Sequence, residues 1–406
     1  MFWLGVVLFA VGLLFAVCLH EAGHMVMAKA FGMKVTQYFA GFGPTVWSFR
    51  RGETEYGVKA VPAGGFVKIV GMTPLEPVEP GDEGRAFFRR PLWQRTVVLS
   101  AGSITHFLLA AVVTYVAAVT TGLPNIRGAE HFSLASAPPV VQAYCVPAST
   151  TATSCAATDP APAKQAGMQT GDLVTAVGST RVSTYEQLVH ALQALPAGPV
   201  GITVDRAGAA KTLTVTPVRV QRTVDGVSKQ VSAIGVTLAD SAYPAPVLHF
   251  GALSAFGGSA TFGQEVVSAT FSAMAAFPGK VPKLVDALEG HPRDPNTPVS
   301  VVGASRIGGE AVSSGHTVIA LTAFAQLNVF IGIFNLVPLL PLDGGHVAVA
   351  WFEAVRSRVA RRRGLPDPGR VDYNKLMPVT YAVILVFGLT SLLAVAADIV
   401  NPIRLN

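Results

Sequence analysis

Residues 1–24 read MFWLGVVLFAVGLLFAVCLHEAGH. The first 19 carry no charge, and about 20 apolar residues in a helix span the hydrocarbon core of a bilayer. The run ends on His20, Glu21 and His24, ionisable groups that are costly at membrane depth and need a reason to be there. Histidines at i and i+4 share one helix face, so both imidazoles reach one zinc ion, and the carboxylate beside them can take a proton from water. The plainer alternative is a pair of histidines capping the span at the interface, which leaves Glu21 without a partner in its helix. A signal peptide would open on basic residues and close on a small-residue cleavage site. Residues 1–31 show neither feature and are read as a retained first transmembrane helix.

Working outward, three further apolar runs have the length of a crossing: Thr96–Leu123, Val318–Leu340 and Leu376–Ala397. They divide the chain into a second transmembrane helix over 96–123, a third over 318–350 and a fourth over 376–400. Gln326, Asn328 and Asn335 interrupt the third, and polar groups inside a span point to function. Composition agrees with this division. Of 406 residues 50% are hydrophobic and 13% charged, against about 25% charged in an ordinary soluble domain. That excludes disorder, a collagen-like fibre and a nucleic-acid-binding tail protein. The net charge of +6 comes from cations flanking the apolar runs, as in the cytoplasmic loops of membrane proteins.

Loop charge sets the expected topology. Segment 32–95 carries nine Lys and Arg and segment 352–374 carries six, whereas the 195 residues of 124–318 carry twelve. The positive-inside rule puts 32–95 and the basic loop 351–375 in the cytoplasm, and both termini and the middle segment outside. Cys145 and Cys155 fall in that outer segment, where cysteines often pair; the alternatives are a disulfide and two free thiols. Cys18, in the first span, is read as lipid-facing or as packing filler.

The outer segment begins with an Ala, Ser, Thr and Pro-rich stretch over 124–160, read as a linker. A soluble pattern follows. Ala166–Val174 is a turn feeding a strand, and Ser183–Leu195 is an amphipathic helix with Tyr185, Leu188, Val189 and Leu192 at helical spacing. Val200–Arg206 and Lys211–Val220 alternate like paired strands. Residues 231–317 are read as a linker, with an amphipathic surface helix over 248–278 and a Pro-rich loop over Gly279–Pro298.

Zinc needs a third protein ligand and one open position. The stretch after His24, MVMAKAFGMK, offers no suitable residue. The candidate is Asp343 in Asn335–His346, NLVPLLPLDGGH, which the topology puts at the same cytoplasmic depth as His20 and His24. Pro338 and Pro341 break the helix there, and irregular backbone at that depth must be buried or line a wet cavity.

HEAGH in the first span with NLVPLLPLDGGH in the third resembles the site-2 protease family of intramembrane zinc metalloproteases. AGMQTGDLVTAVGSTRV, residues 166–182, resembles the strand signature of a PDZ domain, which departs here at Gly178. A single PDZ domain, bounded at 124–230, between second and third spans matches the family's shorter bacterial form. The resemblance implies a polytopic α-helical membrane protein of four transmembrane helices, with a membrane-associated β sheet and an extracytoplasmic PDZ domain. It implies Zn2+ held by His20, His24 and Asp343, with Glu21 as catalytic base. Gly41–Pro44 and Val61–Lys68 resemble two more family segments. They are read as a small cytoplasmic sheet dipping into the membrane, whose edge could pair with an unwound substrate. Gly41, Gly43, Asn328, Asn335 and Pro338 are the candidate substrate-binding residues, the alternative for both asparagines being interhelical hydrogen bonding. His106 stands where the family has Asn; it either approaches the metal or makes the packing hydrogen bond of that Asn.

The expected activity is hydrolysis of peptide bonds within transmembrane segments of membrane proteins, single-span anti-sigma factors among them, in the bilayer of the plasma or inner membrane and with no nucleic-acid partner. The PDZ domain would bind peptides by strand addition or act as a size filter. One rival is a catalytically inactive PDZ-bearing membrane scaffold, against which the complete ligand set argues. Another is a metal transporter, which would need more intramembrane carboxylates and histidines, and internal repeats.

Overall fold

The uncharged opening run folds as one helix, α1 (Phe2–Ala30). Gly5, Phe9, Leu13, Ala16, His20 and His24 form its buried stripe at three- and four-residue spacing, while Trp3, Leu4, Val7, Leu8, Val11 and Phe15 point outward. The computed structural model describes residues 2–73, 77–147, 155–224 and 227–404. It divides into two units, residues 1–123 with 249–406, and residues 124–248.

After α1 the first unit forms an antiparallel hairpin of β1 (Val35–Arg51) and β2 (Thr54–Ile69). Gly52, at φ +62°, supplies the left-handed turn. The pairing register shifts around Ala40–Thr45, where Gly41 and Gly43 sit at φ +87° and +85°. A side chain on Gly41 would meet the Val61 carbonyl oxygen at 2.7 Å. Next comes α2 (Leu92–Thr120), which packs against α1. Gly23 permits that approach: a Cβ there would stand 2.8 Å from the Ala101 carbonyl oxygen.

In the second unit, antiparallel strands β3 (Val140–Ala143), β4 (Asp172–Val177), β5 (Thr180–Arg181), β6 (Val200–Arg206), β7 (Ala209–Val215) and β10 (Val236–Leu238) make a sheet of order β10-β3-β4-β6-β7, with β5 paired to β4. Helix α3 (Tyr185–Gln193), capped by the Thr184 side chain, buries Leu188 and Leu192 in a core with Val141, Val174, Ile202 and Val204. The strand expected over Lys211–Val220 is two strands, because Pro217 has no N–H to offer a ladder. Chain after it forms a separate hairpin, β8 (Val218–Val224) with β9 (Val227–Ala233). The unit therefore runs past the expected boundary at 230, since β10 completes the sheet. Cys145 and Cys155 form a disulfide; residues 148–154 of the linker lie outside the described residues.

Asp172 shows how this unit is held. Its carboxylate, 1% exposed, accepts two bonds from Arg206 at 2.7 Å each and one from the Gln169 N–H at 2.9 Å. The guanidinium lowers its pKa below the usual carboxylate value. The unfolded chain therefore binds the proton more readily, and the stability from this pair is present above about pH 4 and lost as pH falls further. Replacing Arg206 with Met should raise amide exchange in β4 and β6 of the whole protein about tenfold or more, the equivalent of one charge-assisted hydrogen bond. The increase should fade below about pH 4; an increase independent of pH would refute the ion-pair account.

The chain then returns to the first unit. Residues 231–317, expected to be a linker with one amphipathic helix over 248–278 and a Pro-rich loop after it, contain two packed helices: α4 (Ser254–Leu288), which starts inside the expected range and runs ten residues beyond it, and α5 (Val301–Ser313), which was not expected. The Pro-rich segment does not end α4, which continues through Pro278 and Pro282. Leu284 holds its far end in a buried cluster with Ala394 and Ala397. Helix α5 lies on α1 where Gly308 and Gly309 face Phe9 and Val6, and where a Cβ on Gly5 would reach Gly309 Cα at 2.8 Å. Closely spaced small residues are the sequence sign of such contact.

The third apolar run is not one helix over 318–350. Helix α6 (Thr317–Asn335) stops, an irregular turn carries Pro338 and Pro341, and α7 (Asp343–Arg362) starts on Asp343. The basic segment expected as a loop from 351 is helical to Arg362, since nothing breaks the helix before Gly364 at φ +66°. Helix α8 (Met377–Val400) closes the unit. Helices α1, α2, α6 and α8 are long and apolar enough to cross a membrane.

Candidate metal centre

Three side chains from two distant stretches converge beside α2. His20 Nε2 and His24 Nε2 stand 3.1 Å apart. Asp343 Oδ2 lies 3.1 Å from the first and 3.3 Å from the second. Among the described residues these form the single group of three His, Cys, Asp or Glu donors close enough to hold one metal ion.

The local causes are legible in the residues. One helical turn in α1 aligns the two imidazoles, and both lie on its buried stripe. Asp343 opens α7, where the helix N-terminus favours a carboxylate. Gly344 and Gly345 let that first turn fold back onto the Leu336–Leu340 backbone, which a side chain at either position would strike. Gly102 of α2 faces the cluster. A Cβ there would stand 2.5 Å from His20 Cε1 and His24 Nε2, so the missing side chain is the space the imidazoles occupy.

The donor set fits zinc. An ion bound tetrahedrally at about 2.0–2.1 Å needs its donors about 3.3 Å apart, and the observed separations are 3.1 to 3.3 Å. His24 Nδ1 donates to the Val98 carbonyl at 2.7 Å. This leaves the Nε2 lone pair free for a metal, the second-layer pattern of ligating histidines. Two nitrogens and one oxygen also leave a coordination position open.

Glu21 follows His20 and is half-buried. The end of β2 lies against it: a Cβ on Gly65 would stand 3.4 Å from its Cγ, and the Val67 backbone lies near its carboxylate. Tyr38 of β1 donates to the Cys18 carbonyl at 2.8 Å, fastening the hairpin to α1.

The remaining candidates separate. Asn335 is the half-buried last residue of α6, and Pro338 is exposed on the turn before Asp343. Gly41 is buried and Gly43 exposed on the hairpin. Asn328 departs from its expected substrate-binding role: it is 0% exposed. Its Nδ2 donates to the Phe324 carbonyl and its Oδ1 accepts from His106, each at 2.8 Å. Both ends of the amide are used in helix packing. His106, in turn, makes the packing bond rather than joining the metal donors. Sequence reasoning missed Gly102 and did not single out Gly65 and Val67. Gly65 and Val67 lie within Val61–Lys68, read from the sequence as sheet able to meet substrate, and the adjacent Gly64 and Gly65 are a sign of a tight approach there.

A donor set that fits zinc, with a carboxylate beside it, on helices apolar enough to cross a membrane, is what a membrane-embedded metallopeptidase requires. The chain belongs to peptidase family M50, whose profile matches residues 8–365. It is 43% identical to the zinc metalloprotease Rip1 of Mycobacterium bovis and 40% identical to that of Mycolicibacterium smegmatis, in each case over 100% of this chain and 99% of the relative. It is 30% identical to a putative zinc metalloprotease of Rhizobium meliloti, over 84% of this chain and 85% of the relative.

Proposed function

We propose that this protein is an intramembrane zinc endopeptidase of the site-2 type, cutting peptide bonds within transmembrane segments of other membrane proteins. The observation that carries the reading is the convergence of His20, His24 and Asp343 at 3.1 to 3.3 Å beside the carboxylate of Glu21. Bound zinc supplies Lewis acidity that polarises the scissile carbonyl and makes water easier to deprotonate. Glu21 accepts the proton of the attacking water and passes it to the leaving amine nitrogen. A helical substrate hides its carbonyls in its own hydrogen bonds and must be unwound before attack. The β1–β2 hairpin, which approaches Glu21 closely at Gly65, offers extended backbone for that purpose. Gly41 and Gly43 shape its edge, and Asn335 and Pro338 border the substrate from the α6–α7 turn. Asn328 belongs to the packing behind the site.

The positive-inside distribution supports a cytoplasmic hairpin and active site, with the termini and residues 124–248 outside. We read residues 124–248 as the PDZ domain, its sheet and α3 forming a module that meets extended peptides or screens substrates by size. Single-span anti-sigma factors, clipped outside beforehand, are the substrates we favour. The scaffold alternative is disfavoured by the complete donor set.

The test uses the purified full chain in lipid nanodiscs with a single-span anti-sigma factor as substrate. Metal analysis should find one zinc per chain, and mass spectrometry should locate the cut inside the apolar span. A strong chelator should abolish cleavage and zinc should restore it. Cleavage confined to soluble loops, or untouched by metal removal, would defeat the reading.

A further inference from the structure

One ligand of the metal centre lacks what the other has. His24 hands its second ring nitrogen to a backbone carbonyl, whereas His20 Nδ1 is buried with no hydrogen-bond partner among the described residues. Ligating histidines nearly always donate that second N–H, which fixes the tautomer and raises ligand basicity. His20 Nδ1 faces α2: a Cβ on Gly102 would lie 2.6 Å from it. One turn further along α2 stands His106, its ring centroid 5.2 Å from that of His20.

The tautomer of His106 follows from its neighbours. Asn328 Nδ2 donates to the Phe324 carbonyl at 2.8 Å, which orients the amide with Oδ1 toward His106. A carbonyl oxygen only accepts, so the 2.8 Å contact requires the proton on His106 Nδ1. The neutral ring then carries its lone pair on Nε2. His106 is therefore an acceptor on the side away from Asn328. An acceptor cannot stabilise the negative charge that develops on a substrate carbonyl, so its effect must pass through another residue.

We propose that His106 is a positioning residue for the metal centre, its Nε2 accepting the Nδ1–H of His20 through one bridging water. Phe324, Asn328, His106 and His20 then form one hydrogen-bond chain across α6, α2 and α1, ending on the ligand whose Nε2 must face the ion. The inference rests on the metal reading above.

The test measures zinc affinity by chelator competition, and the visible spectrum of the cobalt-substituted protein, in the full chain and two variants. His106→Leu should weaken zinc binding about 10–100-fold and shift the cobalt bands. His106→Asn retains an acceptor oxygen and should restore both toward wild type, which a purely steric role would not predict. The histidine nitrogen resonances of the wild-type protein should show His106 protonated at Nδ1. A His106→Leu protein with wild-type affinity and spectrum would overturn the proposal. So would protonation of wild-type His106 at Nε2 alone, a result that stands even where the Leu variant fails to fold. A wild-type protein that takes up neither zinc nor cobalt would instead remove the metal reading itself.

Discussion

Replacing Glu21 with Gln is expected to leave zinc bound at wild-type stoichiometry while slowing cleavage about 10²–10⁴-fold, the usual contribution of a positioned general base. The amide keeps the size of the carboxylate, but it cannot take a proton from water. Glu21 is not among the three converging donors, so metal content and activity should part company. The measurement is zinc per chain beside the initial rate on a transmembrane substrate. Loss of zinc together with activity would make Glu21 a ligand, and normal turnover would remove it from the mechanism.

Gly102→Ala should be nearly as damaging, by a different route. The added methyl would stand 2.5 Å from ring atoms of both His20 and His24, closer than carbon atoms tolerate. The rings or the helices must shift, and displacing two ligands at once should weaken zinc binding at least about 100-fold, beyond the usual loss of one outer partner. Gly388→Ala in α8 is the matched control, because nothing lies within 4 Å of a Cβ there. Chelator competition on both variants decides the matter. Unchanged zinc affinity in Gly102→Ala would show that the imidazoles do not sit where their separations imply.

These two residues also mark where the site can and cannot be read from the chain. Glu21 is legible because one helix carries the whole HEAGH unit, and helical geometry alone puts His20 and His24 on a common face. Asp343 is legible at one remove: the positive-inside expectation puts it at the depth of the histidines, and the fold brings its Oδ2 within 3.3 Å of both. Gly102 is not legible: its contribution is an absent side chain, and only the approach of α2 to α1 gives that absence a neighbour. Asn328 misleads for a related reason. A polar residue inside an apolar run signals a requirement for a hydrogen bond, but not whether a substrate or another helix meets it. His106 meets it. The extension of α4 past Pro278 and the whole of α5 escape for want of an uninterrupted apolar run: glycines, serines and prolines dilute the pattern, yet the small residues are what allow close packing.

From sequence alone come the membrane class, four runs long and apolar enough to cross a bilayer, and the two motifs whose His and Asp donors the fold brings together, because each depends on hydropathy, period or residue type within one segment. Tertiary structure decides which nitrogen of His24 is left facing His20 and Asp343, which asparagine packs between helices, how β2 reaches Glu21, and that α6 ends so that Asp343 can begin α7. Those features are relations between backbones remote in the chain. They arise when close-packed helices leave each buried polar atom only the partners that geometry allows.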